Sequence, residues 1–327
     1  MSSQQLKLIR RFFSAPHQFK SAVGLFARQR GEFAHIQVLI RAFYAVMVMF
    51  ASFQLPEWES YSGRGKADLL WPVAWISQMN QREGVLLVLC LWLSGVMMAV
   101  IFPQNRGARI AAFLGFFFFA AFNNSFGKIG HSLHHWVLVS FLLIFLPTDT
   151  SGRLGRQRTI QIFVLIQLLI GLTYTMAGIG KLGGIVLHLW NGEMSALHPQ
   201  AMAYIVAERL LQTNTQSLFG PWFVAHPYPS WLFLLGAVYL QFASLWFVAR
   251  PEWHRAWAIG VALFHIFSYF TFTIIFPQSV LVLLLFFGAT PFAAEGFKVK
   301  EMIRQLPFLS KIFKPKSSDL SKECKNA

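Results

Sequence analysis

Three short stretches of the chain hold residues able to do chemistry. The first is Asn123-Asn124-Ser125-Phe126-Gly127-Lys128-Ile129-Gly130-His131-Ser132-Leu133-His134-His135. The second runs from Tyr174 through Gly178-Ile179-Gly180 to Lys181 and Leu182, and the third is His265 within Phe264-His265-Ile266. Each lies in or beside a long apolar run, where an ionisable side chain is costly and marks a functional site by default. At the rim of an apolar layer the charge of Lys181 is poorly solvated, which favours the neutral amine and makes a general base available. His131, His135 and His265 supply ring nitrogens that donate or accept hydrogen bonds, and the Tyr174 hydroxyl and the Asn123 and Asn124 amides add further polar handles. Each of these also has a plain structural role: Lys181 can snorkel to an interface, His131 can face headgroups and His265 can bond between helices. Their combination in one chain is what points to a site.

Two patterns in these stretches carry less than they promise. Gly178-Ile-Gly180-Lys-Leu-Gly183 is a literal GxGxxG, but it follows a helical run and not a strand, so a dinucleotide loop is excluded. Small residues there serve close helix packing or end the helix. His131-Ser-Leu-His134-His135 has the HxxHH spacing of membrane di-iron oxygenases. Those enzymes need several such boxes and this chain has one, so no metal is expected.

The elements that must position these residues are apolar helices. Of the 327 residues 55% are hydrophobic and only 13% charged, too few charges to cover an aqueous surface. The sequence predicts an all-α polytopic transmembrane bundle of about eight spans: Ile36–Leu55, Val85–Phe102, Ile110–Phe122, Leu133–Leu146, Ile160–Gly178, Trp231–Ala249, Ala256–Ile275 and Ser279–Phe292. With the N-terminus on the cytoplasmic side, 22 of the 28 Lys and Arg fall on cytoplasmic segments, among them loops holding Arg106 and Arg109 and then Arg153, Arg156 and Arg158. Both termini are then cytoplasmic. Residues 1–35 read as a basic N-terminal segment, 36–295 as the transmembrane domain and 296–327 as a basic amphipathic and disordered tail bent at Pro307. The formal charge of +15 gathers in tails and short loops, which suits an anionic bilayer face and excludes nucleic acid as partner. Cys90 sits in an apolar run and Cys324 in the charged tail, so no disulfide is expected. In the long outer connection Ile179–Ser230 a short helix is expected over Ala201–Leu211, and Glu193 and Glu208 are the acids nearest the site.

In order and spacing, three tracts together resemble the HTTM family, the membrane domain shared with vitamin K-dependent γ-carboxylase. They are Asn123 through Pro147; then Gln161, Tyr174, Gly178, Lys181-Leu182 and Trp190-x-Gly192; then Phe264-His265 and Phe276-Pro277. The resemblance covers about residues 35–295 and implies a reduced quinone of the vitamin K or menaquinol type as cofactor. It implies Lys181 as the base that takes the quinol proton, with His131 and His265 beside it as catalytic residues. Asn123, Asn124, His135 and Tyr174 are the implied cofactor contacts. The oxygenated quinol then serves as the strong base for carboxylating a peptide glutamate. Here Asn124 and His131 are seven residues apart where the family has adjacent Asn and His, so His134 or His135 is an alternative equivalent. The family's carboxylase also has a large domain after its membrane part where this sequence has a basic tail of roughly 30 residues, which leaves the acceptor open. Two readings follow: a carboxylase-like enzyme acting on a secreted peptide or protein, or a non-catalytic accessory protein for maturation or export of one. The short form suggests a bacterial inner membrane.

Overall fold

The computed structural model describes residues 29–56, 67–127, 130–274 and 276–292. The amphipathic tail after 296, most of the basic N-terminal segment, Trp58, Tyr61 and Lys128 lie outside the described residues. Among those described there are helices and no strand. In chain order they are α1 (Gln29–Gln54), a 3-10 helix (Trp71–Gln78), α2 (Gln81–Ile101), α3 (Arg106–Asn123), α4 (His134–Leu143) and α5 (Arg153–Trp190). Then come α6 (Ala201–Thr213), α7 (Gly220–Ala225), α8 (Pro227–Phe242), α9 (Ser244–Val248), α10 (His254–Phe272) and α11 (Pro277–Leu283), which runs on into a π-helical turn over Leu284–Gly288.

Four helices are long and apolar enough to cross a membrane: α1, α2, α5 and α10. Helices α4 and α11 with its π turn are shorter, and the sixth expected segment is divided between α8 and α9. The distribution of polarity is compatible with a protein in lipid. On α5, Leu165, Leu168, Leu172, Met176 and Ile179 form an exposed stripe at helical spacing, while Gln167, Tyr174 and Thr175 are buried. Water would penalise such an arrangement, and lipid tails would not. These three inward groups are bonded there. Gln167 Nε2 donates to Phe286 O at 2.6 Å and to Thr290 Oγ1 at 3.2 Å, tying α5 to the π turn.

Where hydrophobicity does not drive helices together, close backbone approach does, and glycine permits it. A Cβ on Gly95 of α2 would lie 2.6 Å from the Ala111 backbone carbon, and one on Gly115 of α3 would lie 2.4 Å from the Trp92 Cα. The α2–α3 pair is thus locked from both sides. Around it Trp92, Phe116, Phe119, Trp136 and Phe43 pack with ring centroids 4.6–6.3 Å apart.

Two differences from the sequence reading bear on the site. First, α5 does not end near Gly178 but continues to Trp190, so Lys181 sits within a helix and not at its end. Gly178 is present for packing: its Cβ would meet the Phe242 backbone nitrogen of α8 at 2.4 Å, whereas Gly180, Gly183 and Gly184 face open space. Second, Arg109 is not a loop charge. It lies inside α3 with no exposed surface, and its guanidinium donates to Pro103 O at 2.7 Å and to Leu146 O at 2.5 Å. These are carbonyls just past the C-terminal ends of α2 and α4, where helix dipoles favour a cation. The helix expected over Ala201–Leu211 is present as α6, and Cys90 is free.

Candidate functional site

The three chemistry-bearing stretches meet. A cavity of about 620 Å³ is walled by α4, α5, α8, α10 and the start of α11, and the chain just before α4 contributes His131. Lys181, His131, His134, His135, Tyr174 and His265 all line it. Asn123 and Asn124 do not. Asn124 closes the turn ahead of the histidines, its Oδ1 accepting from Gly130 N at 2.8 Å, and Asn123 is the last residue of α3.

Lys181 lies three residues, nearly one turn, beyond Gly178, so the close contact of α5 with α8 sets where its side chain starts. Its Nζ donates to Oε1 of the buried Gln241 on α8 at 2.7 Å. No carboxylate is among the cavity residues. Glu193 instead bonds His188 at 2.6 Å, and Glu208 accepts from Gln212 at 3.0 Å. The amine is therefore held by a neutral amide oxygen, which orients it without fixing its charge.

Tyr174 and His265 form a couple across α5 and α10, with the hydroxyl 2.7 Å from His265 Nε2. Both are buried, and Nδ1 of His265 is buried with no hydrogen-bond partner. His135 is different. Thr173 uses its single hydroxyl proton on Ile170 O at 2.7 Å, so the 2.8 Å contact with His135 requires Nε2 of the ring to be the donor. Nδ1 then accepts from Ser279 Oγ at 3.4 Å. With both nitrogens engaged and its ring stacked on Tyr174 (centroids 4.9 Å apart, 16° between planes), His135 holds Tyr174 in place. At the mouth the Nδ1 atoms of His131 and His134 are 3.3 Å apart, one ring donating a hydrogen bond to the other.

Val137, Leu138, Ala177, Phe264 and Phe276 supply the apolar walls. Among the described residues no group of three or more His, Cys, Asp or Glu is placed to hold a metal. The arrangement offers a lysine amine able to exchange a proton beside an apolar-walled cavity, with a buried tyrosine–histidine couple in its wall. Sequence reasoning missed Gln241, Thr173 and Ser279. The signal for Gln241 was present, as it is an amide inside an otherwise apolar segment. Comparisons with protein-family models, with curated proteins and with solved structures find no match.

Proposed function

We propose that the chain is an HTTM-type integral membrane enzyme, carboxylase-like, that binds a reduced quinone of the vitamin K or menaquinol type in this cavity. The observation that carries the reading is the convergence of Lys181, the Tyr174–His265 couple and His131 on one cavity of about 620 Å³. That volume lies within the roughly 300–1,000 Å³ of small-molecule sites. The aromatic and aliphatic walls fit a quinol ring. When bound, the quinol supplies a base stronger than any protein side chain once it has reacted with oxygen. Lys181 takes the first proton at Nζ, Gln241 orients that amine, and Tyr174 with His265 holds the second ring oxygen. The apolar walls exclude water from the reacting centre.

The same reading arranges the fold as about eight spans with both termini cytoplasmic and the cavity opening outward, in a bacterial inner membrane, toward a secreted peptide or protein. Its test is conversion of the quinol to the epoxide by the full chain in nanodiscs, wild type beside Lys181→Ala. Epoxide formed by the wild type and reduced at least a hundredfold in the variant supports it, in line with the roughly 10²–10⁴ of general base catalysis. No epoxide from a folded wild type supplied with either quinol removes the enzyme reading in favour of an accessory role in peptide maturation or export.

A further inference from the structure

A second pocket lies at the other end of the bundle, formed by the first half of α1, the loop from α2 into α3, the loop from α4 into α5 and the start of α5. It is about 30 Å³, room for an oxygen or two and not for a whole ligand. Arg109 lines it from within, Arg41 lines it from an exposed position on α1, and Gln37, Gln104, Thr150 and Thr159 complete its polar lining. Arg109 is fully buried. Two of its nitrogens are bonded to carbonyls, but Nε has no partner and no carboxylate neutralises the guanidinium among the described residues. The Gln104–Thr150 hydrogen bond at 3.0 Å joins the two loops that lead into α3 and α5, so the starts of both helices lie beside the pocket. Arg106, Arg153, Arg156 and Arg158 extend the positive field, against Asp149 alone in these loops and first turns. A buried guanidinium that has two carbonyl partners but no carboxylate, and an unpartnered Nε, favours an oxyanion beside it under this ring of cations.

The geometry points to a phosphate-binding site in which Arg109 and Arg41 hold the phosphate group of an anionic phospholipid headgroup. One phosphate oxygen enters the pocket toward Arg109, and the ester carbons stay outside, beside the exposed apolar faces of the helices. An anionic lipid delivers this chemistry where a basic cleft meets a membrane surface, and soluble phosphate is the other source of the same group.

The test uses the full-length protein in detergent with added phosphatidylglycerol, phosphatidylcholine or inorganic phosphate, read by native mass spectrometry and thermal unfolding. Phosphatidylglycerol should bind and raise the Tm where phosphatidylcholine does not. Arg41→Gln, a change at an exposed position, should weaken that binding about fivefold, the worth of one basic side chain at an anionic surface. Arg109→Lys, which keeps the charge and loses the fork, should weaken it too, and Arg41→Gln decides the matter if that variant fails to fold. Inorganic phosphate that displaces the lipid and itself needs Arg41 supports the same pocket with a soluble source. Equal binding of the two lipids, or undiminished binding of phosphatidylglycerol by Arg41→Gln, overturns the proposal.

Discussion

Two cations of the bundle, Arg109 sealed inside it and Lys181 on the exposed rim of the larger cavity, are treated in opposite ways. Arg109 is enclosed: no surface is exposed, two carbonyls are bonded and two helix C-terminal ends point at it. Lys181 stands beside a cavity of about 620 Å³, held by one amide oxygen. The rise of α5 from Thr159 at the first pocket to Lys181 at the second is about 33 Å, close to the thickness of a bilayer's hydrocarbon core. What the contrast teaches is that burial alone does not mark chemistry. A cation clasped by fixed dipoles fastens helices together. A cation with one neutral partner and space beside it is free to exchange a proton.

The largest effect should come from the wall on which Lys181 is built. Gly178→Leu places a side chain into the Phe242 backbone, which has no room to yield, and should cost more than about 3 kcal/mol or prevent folding. Gly180→Ala, two residues on and facing open space, should instead raise stability by about 0.5–1 kcal/mol. Thermal unfolding of the pair separates packing from mere helix propensity.

Next, Lys181→Ala should lower quinol oxidation at least a hundredfold while leaving the Tm within a few degrees, because its bond to Gln241 is one exposed-side contact. Arg109→Met reverses the pattern. It strands two carbonyls and should lower stability by about 2–5 kcal/mol, with activity per folded molecule little changed. If the two variants exchanged these signatures, the contrast between the regions would fail.

The smallest effect is at Asp149, in the loop beside Arg109. The hydroxyl and then the backbone amide of Ser151 donate to its Oδ1, at 2.7 and 2.8 Å, and hold its carboxyl below the usual carboxylate range. A lowered acid stabilises the fold above its ordinary pKa, and that contribution fades as pH falls through the lowered value. Asp149→Asn should therefore change unfolding only in how it depends on pH below about 4, with quinol oxidation untouched.

Much of the site was legible because ionisable residues are scarce in apolar runs: Lys181, His131 and His265 stand out on that ground alone, and they do share a cavity. The helical class was equally legible from composition. What connects the residues was not. Gln241 is 60 positions from Lys181, and His265 is 91 from Tyr174, so only the packing of α5 on α8 and α10 makes them neighbours. The end of α5 was misplaced because glycine both ends helices and lets them pack, and here Gly178 packs. Arg109 read as a loop charge because a cation three residues from Arg106 resembles a topology signal; its two carbonyl partners come from segments that precede and follow α3. Asn123 and Asn124 were chosen by resemblance, and the structure uses them at a helix end and in a turn.

The most direct test of the account is where a quinone sits. A photoactivatable menaquinone analogue, cross-linked to the full chain in nanodiscs and mapped by mass spectrometry, distinguishes the two faces of α5. The account predicts adducts on the cavity face, at Tyr174, Ala177 and Lys181 and at Phe264 or Phe276 nearby, all suppressed by excess menaquinone. Adducts confined to the exposed stripe Leu165, Leu168, Leu172 and Met176, and insensitive to competitor, would contradict it.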